Sequence, residues 1–334
     1  MTAQTHSRIS SCRTRFSSTF LQTTVAVACI VASAVAARNC THEHFVVRTH
    51  AHTSTHTRLL PFNYFVEGTW HKRVFYPKQL CRPDITGDAL LGVEIECSKV
   101  PTTSTYTLFN SSQAKKCLSR KHVTVIGDSY ARGIFVGIAD AYTGDRSDRY
   151  IKNEWRHHIL TREHDGFQLD FLPANSFYEH ENSLIYDERE RLMNSDFVVV
   201  SILVHDIKLA RMSRPVYANW SIDDDWIPTY ESHLRRLIDF KTRNNIKLVW
   251  VNGVSYDNAF VPDLYRKYQQ NDRVLKFHLA AYKLMVAHNI PYIDQFTMTK
   301  SCSREDCLSD GSHRSRYVGR MLGNIILNYF CTEM

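Results

Sequence analysis

The stretch Val123-Thr-Val-Ile-Gly-Asp-Ser129 constrains this chain more than any other. A short run of β-branched residues enters Gly127-Asp128-Ser129, and Tyr130 to Asp140 then reads as a helix. A strand that turns directly into a helix is half of a βαβ unit, and such units build parallel sheets covered on both faces. From residue 117 onward the pattern repeats. Apolar runs at 122–126, 167–172, 196–204, 246–252 and 290–294 predict strands, and helical spacing predicts helices at 130–141, 181–193, 228–243, 261–288 and 314–329. The expected fold class is α/β, a three-layer sandwich around a central parallel sheet. In such sheets sites form at the carboxyl ends of strands, which is where Ser129 falls.

The residue types around that turn suit nucleophilic chemistry. A serine hydroxyl is a weak nucleophile and needs an imidazole to take its proton. The imidazole in turn needs a carboxylate to orient it. Asp310 and His313 stand three positions apart, just before a stretch whose Val318, Met321, Leu322, Ile325, Ile326 and Tyr329 keep helical spacing. Read singly, Gly-Asp-Ser is a common turn and Asp-x-x-His before a helix is a common cap. Together, in this order and each at a junction before a helix, they make a candidate triad of Ser129, His313 and Asp310. The Ser129 N–H, at a helix start, is a candidate oxyanion donor.

Cys117-Leu-Ser-Arg-Lys-His-Val-Thr-Val-Ile-Gly-Asp-Ser-Tyr-Ala-Arg132 resembles the first block of the SGNH-type PC-esterase family. That group includes plant cell-wall polysaccharide O-acetyltransferases, the sialate O-acetyltransferase catalytic domain and neurexophilin-like proteins. Asp310-Gly-Ser-His313, followed by a helix ending in Asn328-Tyr-Phe-Cys331, is similar to the family's last block. Glu67-Gly-Thr-Trp70 and Cys81 are similar to its Gly-x-Trp region, so the resemblance spans roughly 64 to 331. It implies an SGNH-hydrolase-like fold and a serine acyl-enzyme that moves or removes an acyl group, acetyl foremost, on a glycan hydroxyl. Arg132 matches the block as well, as a substrate-contacting residue or a charge on a helix face.

The middle departs from the family pattern. Asp196 to Asp206 resembles the second block, usually Asn-x-Gly-x-His, but Ser201 and Leu203 replace the Asn and Gly while His205 is kept. The family's Gly lends a backbone N–H to the oxyanion, so the Leu203 N–H is the expected counterpart. Asn252, in Asn252-Gly253 after the strand 246–252, is either a side-chain donor for the same oxyanion or part of a simple turn. His205 is either a substrate contact or a structural histidine. These departures keep a second reading open, a catalytically inactive glycan-binding or structural protein on the same fold.

Composition excludes other classes. The 334 residues carry 12% aromatics, enough for a sizeable core. Of the formal +7, Arg8, Arg13 and Arg15 supply three charges in an acid-free leader, leaving +4 spread without a basic run, so no nucleic-acid partner is expected. The leader contains the uncharged stretch Phe20 to Ala37, with a core Val25 to Ala37 of small or apolar residues, which is either a signal anchor or a cleaved signal peptide with Ala34-Val-Ala36 as its site. Both place the following domain in the secretory pathway, Golgi-lumenal or secreted. The sequons at Asn39, Asn110 and Asn219 agree. Residues 1–37 thus form the leader and 38–60 a Thr/His-rich stalk. His42, His44, His50, His52 and His56 read there as a solvated linker rather than a metal site. Residues 61–334 form the acyl-esterase domain, with 61–116 an irregular Cys-bearing lead-in. Seven cysteines follow the leader, an odd number. A Cys302–Cys307 disulfide would stiffen the loop before Asp310, and Cys117–Cys331 would staple the domain's ends. No Cys-x-x-Cys pair occurs and no cofactor is implied. The expected partner is a glycan acceptor; the sequence names no acyl donor.

Overall fold

The structure is a computed structural model. It describes residues 65–71, 74–83, 95–99, 106–144, 160–177, 187–203, 221–257, 259–261, 263–266, 269–300, 302, 307 and 316–332. All lie in the compact unit His56–Met334. The leader, the stalk, Asn39, Asn219, His205, Asp310 and His313 lie outside the described residues. Among the described residues no helix is long and apolar enough to cross a membrane.

The centre is a six-stranded sheet. Its strands are β4 (His122–Gly127), β5 (Leu160–His164), β6 (Phe167–Pro173), β7 (Phe197–Ser201), β8 (Leu248–Val251) and β9 (Tyr292–Ile293), in the order β5-β6-β4-β7-β8-β9. β4 pairs in parallel with β6 and β7, and β8 in parallel with β7 and β9; only β5, at the edge, is antiparallel. Counting the parallel strands in chain order gives 2-1-3-4-5, a doubly wound arrangement whose order reverses between β4 and β7.

Burial explains why these runs are strands. Along β7, Phe197 and Val199 join one core while Val198 and Val200 join the other; on β8, Val249 and Val251 alternate likewise with Leu248 and Trp250. Side chains alternate across a pleated strand, so a strand buried on both faces reads as a continuous apolar run. One face is covered by α4 (Ile227–Arg243) and α6 (Asn271–Ala287), whose Leu234, Leu237, Ile238 and Phe277 share a core with Trp250. The other face is covered by α1 (Ser111–Leu118), α2 (Ser129–Thr143) and α8 (Arg316–Thr332). The three-layer α/β sandwich is therefore present. Short helices α3 (Arg189–Asn194), α5 (Asp263–Arg266) and α7 (Gln295–Lys300), with a π-helical turn Ile222–Trp226 leading into α4, complete the set described.

Three expectations need correction. The lead-in 61–116 is not irregular where described, because β1 (Phe65–His71), β2 (Val74–Pro83) and β3 (Ile95–Lys99) form an antiparallel sheet, and α1 follows. Phe75, 2% exposed, ties this sheet to the core beneath α2 and α8. The helix expected at 261–288 is broken before α6, where Gln270 is extended and the Asn271 side chain bonds both the N–H and the carbonyl of Tyr256. The strand β5 was not expected at all. It is a polar edge strand, joined to β6 through Asp165-Gly166, both at positive φ. Both foreseen disulfides are present: Cys117–Cys331 joins α1 to the end of α8, and Cys302–Cys307 closes a short loop after α7.

Candidate active site

Ser129 is the first residue of α2, at the carboxyl end of β4 and beside the point where strand order reverses. Its position is set by Gly127. That residue has φ +145°, and a Cβ there would lie 1.9 Å from the Ser201 carbonyl oxygen of β7 and 2.8 Å from the Ala131 methyl. Only glycine lets β7 pack that closely against the turn. The Gly127 carbonyl accepts the Ala174 N–H at 2.8 Å, which fastens the turn to the chain leaving β6. Asp128, 3% exposed, caps α2: its carboxylate accepts the Tyr130 N–H at 2.8 Å and its carbonyl accepts the Arg132 N–H at 3.1 Å. Among the described residues no acceptor takes the Ser129 N–H. The serine is half-buried, as is Arg132 one turn on.

Leu203 lies two residues past β7 and is 3% exposed. Its side chain packs on Gly253, where an added Cβ would meet Leu203 Cδ2 at 3.3 Å. β7 ends at Ser201, so the sheet ladder does not claim the Leu203 N–H. The Gly253 N–H, in contrast, donates to Nε2 of His278 at 3.1 Å. Burial pushes the His278 pKa down to about 3, so the ring is neutral and its proton sits on Nδ1. Sequence reasoning did not single out His278; it anchors the turn after β8 from the middle of α6.

Asn252 requires a correction. Both hydrogens of its buried amide are used, one by the Tyr292 hydroxyl and one by Asp294 Oδ1, each at 2.8 Å. Its carbonyl accepts the N–H groups of Gln295 and Phe296. The side chain thus caps α7 and ties β8 to β9, and no hydrogen remains for an oxyanion. Its partners lie some forty positions downstream, so no local pattern announces the role.

The feature that sequence reasoning missed is a glycine seam. Gly133 and Gly137 on α2 face Gly319 and Gly323 on α8. A Cβ at Gly319 would lie 2.4 Å from the Gly133 carbonyl oxygen, one at Gly137 2.1 Å from the Gly319 oxygen, and one at Gly323 2.6 Å from the Gly137 carbonyl carbon. Earlier residues meet earlier ones and later meet later, so the two helices run side by side in the same direction. The start of α8 at Arg316 therefore lies at the same end of the pair as Ser129. Further along, Arg320 pairs with the buried carboxylate of Asp140. The signal was available as two sets of glycines four positions apart, one in each flanking helix.

Asn110 is exposed and forms a capping box on α1: its side chain accepts the Gln113 N–H at 2.9 Å and its own N–H donates to Gln113 Oε1 at 3.0 Å. Among the described residues no group of three His, Cys, Asp or Glu side chains is placed to hold a metal.

No protein-family model and no curated protein matches the chain. Solved structures do resemble it. An acetyl xylan esterase is 16% identical over 61% of this chain and 97% of its own, with a TM-score of 0.40. A GDSL-like lipase from Bacteroides thetaiotaomicron is 14% identical over 64% and 90%, at 0.42. A catalytic mutant of an acetylxylan esterase from Geobacillus stearothermophilus is 14% identical over 64% and 94%, at 0.41.

Proposed function

We propose that this chain is an SGNH-type serine acyl-enzyme acting on O-acyl groups, acetyl foremost, of glycans, as an O-acetyltransferase or an acetylesterase. The observation that carries the reading is the parallel pairing of α2 and α8. It sets the start of α8 at the Ser129 end, and His313 precedes that start by only three positions in the sequence, which supports the reading. In this reading the Ser129 hydroxyl attacks the ester carbonyl while His313 takes its proton and Asp310 orients the imidazole. The tetrahedral oxyanion accepts hydrogen bonds from the Ser129 and Leu203 N–H groups. Collapse expels the alcohol, which receives the proton from His313. Water or a sugar hydroxyl then resolves the acyl-serine; the first gives hydrolysis, the second transfer. The paired cysteines, the sequons and the apolar leader support a lumenal or secreted location, Golgi membrane included, because disulfides persist in oxidising compartments.

A second reading has its own observation. Ser201 and Leu203 stand where the resembling family has Asn and Gly, and the Asn252 amide is spent. The missing Asn side chain and the committed Asn252 amide subtract oxyanion donors, and Leu203 adds a side chain where the family's Gly has none; these favour an inactive glycan-binding protein. Labelling by a fluorophosphonate separates the two. Wild type should gain one covalent adduct on Ser129 by peptide mass, and Ser129→Ala should gain none. A wild type that stays unlabelled and inert toward aryl acetates would leave the binding-protein reading standing.

A further inference from the structure

The β2–β3 ladder runs without a register shift, and it pairs Gln79 with Lys99, Leu80 with Ser98, Cys81 with Cys97, Arg82 with Glu96 and Pro83 with Ile95. The neighbouring β1–β2 ladder, by contrast, slips at Glu67/Gly68. Two cysteines thus occupy directly opposed positions on antiparallel strands. Opposed residues in such a pair have Cα atoms about 4.5 to 5.5 Å apart, inside the roughly 4.4 to 6.8 Å range of disulfides. In an antiparallel ladder directly opposed positions share a face of the sheet, the arrangement a cross-strand disulfide needs. The other cysteines narrow the pairing further. Cys117 is joined to Cys331 and Cys302 to Cys307, so of the seven cysteines beyond the leader only Cys40, Cys81 and Cys97 remain to be assigned.

We propose that Cys81 and Cys97 form a third intrachain disulfide across β2 and β3, which makes Cys40 the odd cysteine of the extracytoplasmic part. The bond forms by exchange with a disulfide oxidant, an oxidoreductase disulfide or oxidised glutathione. One thiolate attacks the oxidant to give a mixed disulfide, and the second thiolate displaces it. Two electrons and two protons leave the cysteine pair, and the oxidant departs as its dithiol or as two thiols. The bond fastens the outer strand β3 to β2, whose Phe75 is sunk in the core beneath α2 and α8. The small sheet then needs no core of its own to hold its edge strand.

The test uses the full chain secreted from eukaryotic cells and equilibrated in a glutathione redox buffer. Free thiols are blocked with N-ethylmaleimide before proteolysis without reduction, and peptides are mapped by mass. One peptide pair should contain Cys81 and Cys97, two hydrogens lighter than its separate parts and split by reductant. Cys81→Ser should expose Cys97 to the blocking reagent, and Cys81→Ser/Cys97→Ser should keep the Cys117–Cys331 and Cys302–Cys307 links while lowering Tm by on the order of 5 °C. Blocking of both Cys81 and Cys97 in the wild type, or linkage of either one to Cys40, would overturn the proposal. The outcome does not depend on whether Ser129 is catalytic, since an inactive protein would show the same peptide.

Discussion

The two ends of the central sheet are built on opposite principles. Toward the amino ends of the parallel strands, half-buried polar groups are committed to one another around the buried Asp170 and Thr124. Asp170, wholly buried in β6, accepts from His122 at 2.9 Å and from Arg191 at 2.5 Å, with Gln168 close by; Arg191 also reaches Glu188 at 3.1 Å. Beside it Thr124 bonds Ser195 at 2.7 Å, and Lys121 pairs with Asp196 at 3.1 Å. At the carboxyl ends the backbone is pinned instead by a glycine no other residue could replace, and among the described residues no acceptor takes the Ser129 N–H. A group satisfied in the resting fold has nothing to offer a transition state, whereas an unclaimed donor held by rigid neighbours does. One end stabilises; the other is available for chemistry.

The largest effect that would break this contrast is expected at Gly127. Gly127→Ala adds a methyl 1.9 Å from the Ser201 carbonyl oxygen at a φ of +145°, so both strand pairing and the turn must shift. Loss of folded protein, of the order of 4 kcal/mol or more, should appear as poor secretion and a collapsed thermal transition. Normal folding of this variant would show that the turn is not pinned by β7.

Next in size, and confined to activity, is Ser129, the nucleophile of the proposed reading. Ser129→Ala should abolish acyl-enzyme formation while Tm moves by no more than about 1 °C, because the half-buried hydroxyl holds no structural bond among the described residues. On the proposed reading His313→Ala should lose as much activity as Ser129→Ala, since the members of a triad act as a unit. Near-full activity of His313→Ala on an aryl acetate would remove the histidine from the mechanism.

The opposite end should behave in reverse. Burial by itself would raise the Asp170 pKa, but hydrogen bonds from His122, Arg191, Thr161 and Gln168 outweigh it and hold the carboxyl at about 2, against an ordinary 3.8. A depressed folded pKa contributes stability above the ordinary value, and that stability is lost as pH falls from about 3.8 through about 2. Asp170→Asn should cost about 3 kcal/mol at neutral pH by leaving Arg191 and His122 without their carboxylate, and it should flatten the acid limb of Tm against pH. Turnover per folded molecule should be unchanged. A fall in turnover at constant Tm would couple the two ends.

How far the sequence announces these features depends on whether their cause is local. β4, β7 and β8 are legible because burial on both faces demands a continuous apolar run. β5 is not, since an edge strand such as Leu160-Thr-Arg-Glu-His164 needs little hydrophobicity, although Asp165-Gly166 marks its hairpin. β2 is disguised by Pro77 and Pro83, which an antiparallel three-stranded sheet tolerates near its ends and irregularities. Ser129 is legible from the strand-to-helix junction. The glycine seam was visible as spacing but acquires meaning only when two helices separated by most of the domain are laid together.

Asn252 offers the smallest and most discriminating change, because it sits at the available end yet is built like the stabilising one. Removing its amide in Asn252→Ala strips partners from the Tyr292 hydroxyl, Asp294 and the N–H groups of Gln295 and Phe296, all near the start of α7. Unsatisfied buried groups cost about 1 to 3 kcal/mol, with the lower part of that range expected if water enters the space. The cost should appear in Tm, with kcat per folded molecule falling less than about tenfold. An oxyanion donor would show the reverse signature, a loss on the order of 10²-fold in kcat at unchanged Tm. Measuring both on one preparation decides whether the carboxyl end of β8 belongs with the chemistry proposed at β4 or with the scaffold. The direction of all four hydrogen bonds, inward to α7 and β9, assigns it to the scaffold.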